Sequence, residues 1–159
     1  MIQSVRGDIL QTTAEYIAQG VATGSQEGLG TGLALKISQK WPLVQKQFKK
    51  YTHANKFQGG AICVVPPSTS NPGVIYIATQ PDRYHASLTY LNRGIKALAK
   101  YCKHHALASV ALPKIGAGLG KLDWELQVKP VLLAHLSESK AIFYVDEDFK
   151  IEYEASGAE

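Results

Sequence analysis

Twice in this chain an apolar, strand-like run passes directly into a cluster of glycines, and each time a helical periodicity follows. The first instance runs from Tyr16–Val21 through GVATGSQEGLGTGLAL into a helix expected over Thr31–Lys40 with Leu33, Ala34 and Ile37 on one face. The second runs from Val110–Leu112 through PKIGAGLGKLD into a helix beginning at Trp124. A glycine-rich loop that opens a helix can turn several N–H groups toward an anion, and the helix terminus adds its partial positive charge. One such loop is readily just a turn. Two of them, each after a strand, point to an anion site in a fold where strands and helices alternate.

The rest of the pattern agrees. Residues 1–5 read as a first strand, ended by Arg6, Gly7 and Asp8. Pro42 suits the first turn of a short helix whose inner face is Leu43, Val44 and Phe48. The β-branched runs Ala61–Val65 and Val74–Thr79 are strands joined by the proline-rich PPSTSNPG. Ser87–Cys102 is the clearest helix: Ser87 is placed to cap it, and Leu88, Leu91, Ile95, Leu98 and Cys102 step by three or four. Asp123 can cap a helix from Trp124 to about His135, buried through Leu126, Val131 and Leu132, and Ala141–Val145 is a last strand. The pattern leaves Phe149–Glu154 open between strand and polar tail. The expected architecture is an α/β sandwich, with ligands bound beyond the carboxyl ends of its strands.

At 159 residues the chain has the size of one domain, expected over residues 1–146 with an acidic tail at 147–159. The net charge of +4 hides an asymmetry. The last fourteen residues contain six acids and one lysine, a local −5, which leaves +9 on the remainder. A basic body favours anionic partners. The 2 cysteines, Cys63 and Cys102, are too few for a disulfide framework and read as reduced core residues of an intracellular, cytoplasmic or nuclear protein. No basic segment followed by an apolar run opens the sequence, and no stretch of about 18 apolar residues occurs, so neither a signal peptide nor a membrane span is expected.

Two common nucleotide motifs are excluded. The first cluster reads G-x-G-x-G across Gly28, Gly30 and Gly32, without the wider gap of the dinucleotide fingerprint. The second places Leu122 where a P-loop needs Ser or Thr for magnesium. Hydride transfer with NAD and ATP hydrolysis are therefore poor fits.

The segments GDIL (7–10), GTGLALKISQKWP (30–42) and LPKIGAGLGKLDW (112–124) together resemble the macrodomain family of ADP-ribose-binding modules. The nearest branch is that of the small terminal ADP-ribose glycohydrolases, the DarT-antitoxin-like macrodomains and the ADP-ribose 1″-phosphate phosphatases. The resemblance implies a three-layer α/β/α sandwich around a central mixed sheet, no cofactor, no metal and no membrane partner, and we expect a monomer. It implies that Asp8 accepts the adenine amino group beside Ile9, and that Gly28, Gly30 and Gly32 lie along the diphosphate and distal ribose. It further implies that Ile115, Gly116, Ala117, Gly118, Leu119 and Gly120 cradle the phosphates and that Tyr144 stacks on adenine. An acceptor-only carboxylate, a nest of amides and an aromatic face suit those tasks. Two positions stay open on the residues alone: Asp8 as a turn cap, and Tyr144 as a core aromatic.

Several positions depart from the branch. Where related macrodomains carry asparagines after the second strand, this chain has Gln19 and Ala22. The glycohydrolase lysine of a T-K dipeptide is replaced in Thr79–Gln80, and the aspartate of the eukaryotic members by Gly120. Glutamine cannot form a Schiff base with an opened ribose. Asp82 and His85, in QPDRYHAS, are the remaining candidates for activating water, against the plainer reading of a solvated loop. The expected function is binding of ADP-ribose or a derivative, with hydrolysis of the distal-ribose substituent. The alternative is a non-catalytic reader of ADP-ribosylated protein or nucleic acid. Six lysines and no acids lie between Gly28 and Pro81, interleaved with Trp41, Phe48, Tyr51 and His53. They form either a basic surface with stacking groups or, as we expect, the polar faces of two helices anchored by aromatics.

Overall fold

The computed structural model describes residues 1–23, 32–82, 84–118 and 120–146. Gly28, Gly30, Leu119 and the 147–159 tail lie outside the described residues. Six strands, β1 (Ile2–Val5), β2 (Tyr16–Ala22), β3 (Ile62–Val65), β4 (Gly73–Gln80), β5 (Ser109–Leu112) and β6 (Ile142–Asp146), form one sheet in the order β1-β6-β5-β2-β4-β3. Only β3 runs antiparallel to its neighbour, as the arm of a hairpin with β4. The five parallel strands therefore deliver their carboxyl ends, and the loops that follow, to one edge of the sheet.

The period-2 alternation of the strands divides the core into two layers. On one face Ala18, Ile75, Ile77, Val110, Leu112, Phe143 and Val145 meet α3 (Leu88–His104) and α4 (Lys129–Leu136) through Leu91, Ile95, Leu98, Leu132 and Leu136. On the other, Ile17, Val21, Val74, Tyr76 and Ala78 meet α1 (Gly32–Lys40) and α2 (Pro42–Ala54) through Ala34, Ile37, Val44 and Phe48. Every residue of β4 is buried, as befits an interior strand covered on both faces. Phe48 stacks on Tyr76 with ring centroids 3.9 Å apart and takes the edge of Phe57 at 5.3 Å. Burial of one such side chain contributes roughly 1.5–3 kcal/mol.

The caps follow the sequence. The Ser87 side chain accepts the Tyr90 amide at 3.2 Å, and Asp123 Oδ1 accepts the Leu126 amide at 2.8 Å. The segment after Asp123 begins as a π-helical turn, Trp124–Val128, before α4 proper, and α2 is a full 13-residue helix. Three leucines expected in the core lie outside it: Leu43 (65% exposed), Leu88 (39%) and Leu126 (79%). Each stands in the first turn of its helical segment, where the apolar spacing continues but the axis has not yet reached the sheet. Among the described residues no helix is long and apolar enough to cross a membrane.

Candidate functional site

The sheet's carboxyl edge gathers most of the described candidate residues. At the β1–β6 end, Gly7 (φ 133°) turns the chain out of β1, and Asp8 caps a one-turn helix, Ile9–Gln11, by accepting the Leu10 amide at Oδ1, 2.9 Å. Tyr144 enters from β6, level with Gln3 of β1 and Ala111 of β5. Asp8, Ile9 and Tyr144 wall one narrow cleft with Arg6 and Asp146. The cap role of Asp8 is thus present, but one amide takes only one of the roughly four lone-pair positions of a carboxylate. Tyr144 is half-buried: it packs against the α1/α2 core layer and also lines the cleft. Asp146, 3% exposed, is a wall that sequence reasoning missed, because it stands first among the acids of the tail.

The second glycine loop leaves β5 and folds on itself. The Ile115 amide reaches Pro113 O at 2.7 Å, Ala117 reaches Lys114 O at 3.0 Å, and Leu122 returns to Gly116 O at 3.0 Å. Gly116 holds φ +77°, a left-handed conformation that favours glycine. Gly120 has no room for a side chain, since a Cβ there would lie 2.7 Å from Gly116 O and 2.8 Å from Ala86 Cβ. Gly118 is different: an added Cβ would meet nothing within 4 Å, and its φ is not positive, so no backbone conflict excludes a larger residue there. Among the described residues, the amides of Gly116, Gly118 and Gly120 donate to no backbone carbonyl. Ile115, 2% exposed, anchors the loop in the core, and the Lys114 ammonium lies 6.0 Å from the Trp124 ring centroid. Gly32 opens α1 in the left-handed region at φ 54°.

At the β2–β4 end, Gln80 is only 9% exposed. Its Nε2 donates to Asp82 O at 2.8 Å, and its carbonyl accepts the Thr23 amide at 2.9 Å. Asp82 and His85 pair on the loop that follows: His85 Nδ1 stands 3.0 Å from Asp82 Oδ1, with both side chains more than half exposed. The Tyr84 amide bonded to Asp82, and then His85, hold the Asp82 carboxyl below its ordinary range. This loop is tied to the glycine loop by the Ala86 amide, which donates to Gly120 O at 2.9 Å.

Beneath this end lie buried polar groups, of which the sequence singled out Gln19 but not Tyr76. Gln19 is 1% exposed, and both atoms of its amide lack a hydrogen-bond partner. It stands opposite Tyr76 in the β2–β4 register, and the Tyr76 hydroxyl, its pKa raised by burial, is unpartnered as well. Burial pushes the Cys63 and Cys102 thiols up to about 11, which keeps them protonated and unreactive. The lysines of α1 and α2 are exposed, whereas Phe48 is buried and Trp41 and Tyr51 pack against the core. Those three aromatics are anchors and not a stacking surface.

The chain is 28% identical over 129 residues to the DNA ADP-ribosyl glycohydrolase of Mycobacterium tuberculosis, covering 79% of this chain and 36% of the relative. The protein of that name from Thermus aquaticus is 28% identical over 127 residues, with 78% and 35% covered. The chain thus spans about a third of the length of these curated relatives. Among solved structures, the macrodomain of Mycobacterium tuberculosis DarG superposes with a TM-score of 0.81 at 26% identity, covering 92% of this chain and 97% of that one. The macrodomain of Thermus aquaticus DarG gives 0.82 at 26% identity, with 92% and 98% covered. With the Macro domain family model matching residues 21–130, the sheet order, the glycine loop and the cleft at its edge have one common explanation: this chain belongs to the macrodomain family.

Proposed function

We propose that the protein binds ADP-ribose along the carboxyl edge of its sheet and hydrolyses a substituent on the distal ribose. The observation that carries the reading is the cleft that sets the Asp8 carboxylate beside the Tyr144 ring, on the same edge as the Gly116–Gly120 amides. Adenine fits the cleft, with its exocyclic amine donating to Asp8 and its face on Tyr144. The diphosphate fits the amides of Gly116, Gly118 and Gly120, which donate to no backbone carbonyl among the described residues. The distal ribose then extends toward the ends of β2 and β4. Relatives of the chain are named for removing ADP-ribose from DNA, which supports a hydrolase acting at that ribose.

Gln80 rules out a lysine Schiff base at this position, so turnover proceeds by direct attack of water. On ADP-ribose 1″-phosphate, the water oxygen bonds to phosphorus, the bond from phosphorus to the 1″ oxygen breaks, and that oxygen leaves with the electron pair and takes a proton. We assign the orienting of the water and the carrying of the proton to the Asp82–His85 pair, on the loop that follows β4. A second reading, a binding module that releases nothing, draws on the same Gln80 and on the exposure of that pair.

Calorimetry with ADP-ribose, AMP and NAD tests the ligand; equal or absent binding of ADP-ribose overturns the assignment. A release panel covering 1″-phosphate, acyl-linked and base-linked ADP-ribose then separates hydrolase from binding module. Tight binding with no release from any of them leaves the second reading.

A further inference from the structure

Next to the β2–β4 end, a groove of about 740 Å³ runs between the end of α2 and the start of α3. Its described lining includes Thr23, His53, Lys56, Gln58, Tyr90 and Arg93, and contains no Asp or Glu. Its shape is specified and not a gap left over from packing. A Cβ at Gly59 would lie 2.3 Å from the Tyr90 ring, so the bare glycine lets that ring lie against the chain. Gly60, held at φ +85°, is in contact with the Arg93 stem, where a Cβ would stand 2.5 Å from Arg93 Cβ. Two consecutive glycines thus seat the Tyr90 ring and the Arg93 stem against the chain on one wall of the groove, with Lys56 on the same lining. The groove begins at Thr23, whose amide is bonded to Gln80 O. On the ligand reading above, this is the side toward which the distal ribose extends.

We propose that this groove holds a single-stranded nucleic acid, its phosphates on Lys56 and Arg93 and a base against Tyr90. Two properties favour a strand over an acidic protein segment. The Tyr90 ring offers a face to a base, for which a carboxylate side chain has no use. Gln58 and Asn55 supply amide groups suited to base edges. That the strand is the carrier of the ADP-ribose at the neighbouring site rests on the ligand reading above; the groove itself does not.

The test is fluorescence anisotropy of an unmodified single-stranded oligonucleotide against the whole chain at several salt concentrations, beside calorimetry with ADP-ribose. Lys56→Gln and Arg93→Gln should each weaken oligonucleotide binding about five-fold at 0.1 M salt and flatten the log–log salt slope by about 0.7, as expected for one lost phosphate contact on a single strand. Tyr90→Leu should weaken binding with the slope unchanged. Lys140→Gln, an equal loss of charge at the opposite edge of the sheet, should do neither. ADP-ribose binding should stay unchanged in all four. Absent oligonucleotide binding, or an equal effect of Lys140→Gln, overturns the groove. Polyglutamate that binds as tightly, with the same loss on Arg93→Gln, overturns it in favour of an acidic protein partner. If the oligonucleotide binds as expected while ADP-ribose does not bind at all, the groove stands and the ligand reading fails.

Discussion

At the β1–β6 end of the sheet's edge, three side chains line one cleft: Asp8, half-buried on its cap, Tyr144, between core and cleft, and Asp146, buried. At the β2–β4 end the arrangement is reversed. The buried groups there, Gln19, Thr79 and Tyr76, are polar and unpartnered, while the side chains with chemistry to offer, Asp82 and His85, lie in solvent. The first end presents an anchored carboxylate with acceptor capacity to spare beside a half-buried ring. Binding and turnover should therefore respond to mutation separately.

The largest separation is expected at the glycine loop between the two ends. Gly118→Val should cost at least about 100-fold in ADP-ribose affinity, roughly 2.7 kcal/mol, because its side chain enters the space assigned to the diphosphate. Its melting temperature should stay unchanged, since a Cβ at 118 meets nothing within 4 Å. Gly120→Ala should do the opposite first and lower the melting temperature, through contacts of 2.7 Å with Gly116 O and 2.8 Å with Ala86. Normal ligand binding by Gly118→Val would return residues 115–120 to the status of a surface turn.

If the β2–β4 end turns over substrate, His85→Ala should reduce turnover about 10²-fold or more, as for loss of a general acid or base, with little change in ligand affinity. Asp82→Ala should follow it, because the two are one pair at 3.0 Å. The double variant should then lose little more than either single one. Borohydride should trap no adduct at position 80. Additive losses, or parallel losses of affinity, would make the pair a binding element and not a catalytic one.

At the other end Asp8 does two jobs, and two substitutions divide them. Asp8→Ala should weaken ADP-ribose by about 1–3 kcal/mol and also lower stability by about 0.5–2 kcal/mol through loss of the cap. Asp8→Asn retains an oxygen for the Leu10 amide, so calorimetry should show the affinity loss while thermal unfolding stays near wild type. An Asn variant that binds normally leaves Asp8 as a cap alone.

The same two ends explain what the sequence could and could not say. Strands and helices were legible because their apolar periods are long, and Asp8 and Ile9 stood out because they fall in the short segment GDIL. Leu43, Leu88 and Leu126 misled because spacing shows a helix face but not the point at which that face meets the sheet. The tie of Gln80 to Asp82 O depends on a turn, and the groove beside it on Gly59 and Gly60 meeting a helix thirty residues later in the chain. No local pattern records either. The first glycine loop, with Gly28 and Gly30, lies outside the described residues.

The smallest effect sharpens the contrast most directly. Asp82 is held below its ordinary value of 3.8, first by the Tyr84 amide and then by His85. A carboxyl depressed by folding contributes stability above its unfolded value, and that contribution is lost as pH falls through the folded one. In wild type a carbon-detected titration of Asp82 should therefore have its midpoint below 3.8. His85→Ala should raise the midpoint only part of the way, because the Tyr84 amide, 2.8 Å from Asp82 Oδ1, remains. A midpoint unmoved by His85→Ala would show that the ring does not rest on Asp82 in solution. A carboxylate this acidic is also a weak base. In any turnover at this end Asp82 should thus orient His85 and leave the proton to the imidazole.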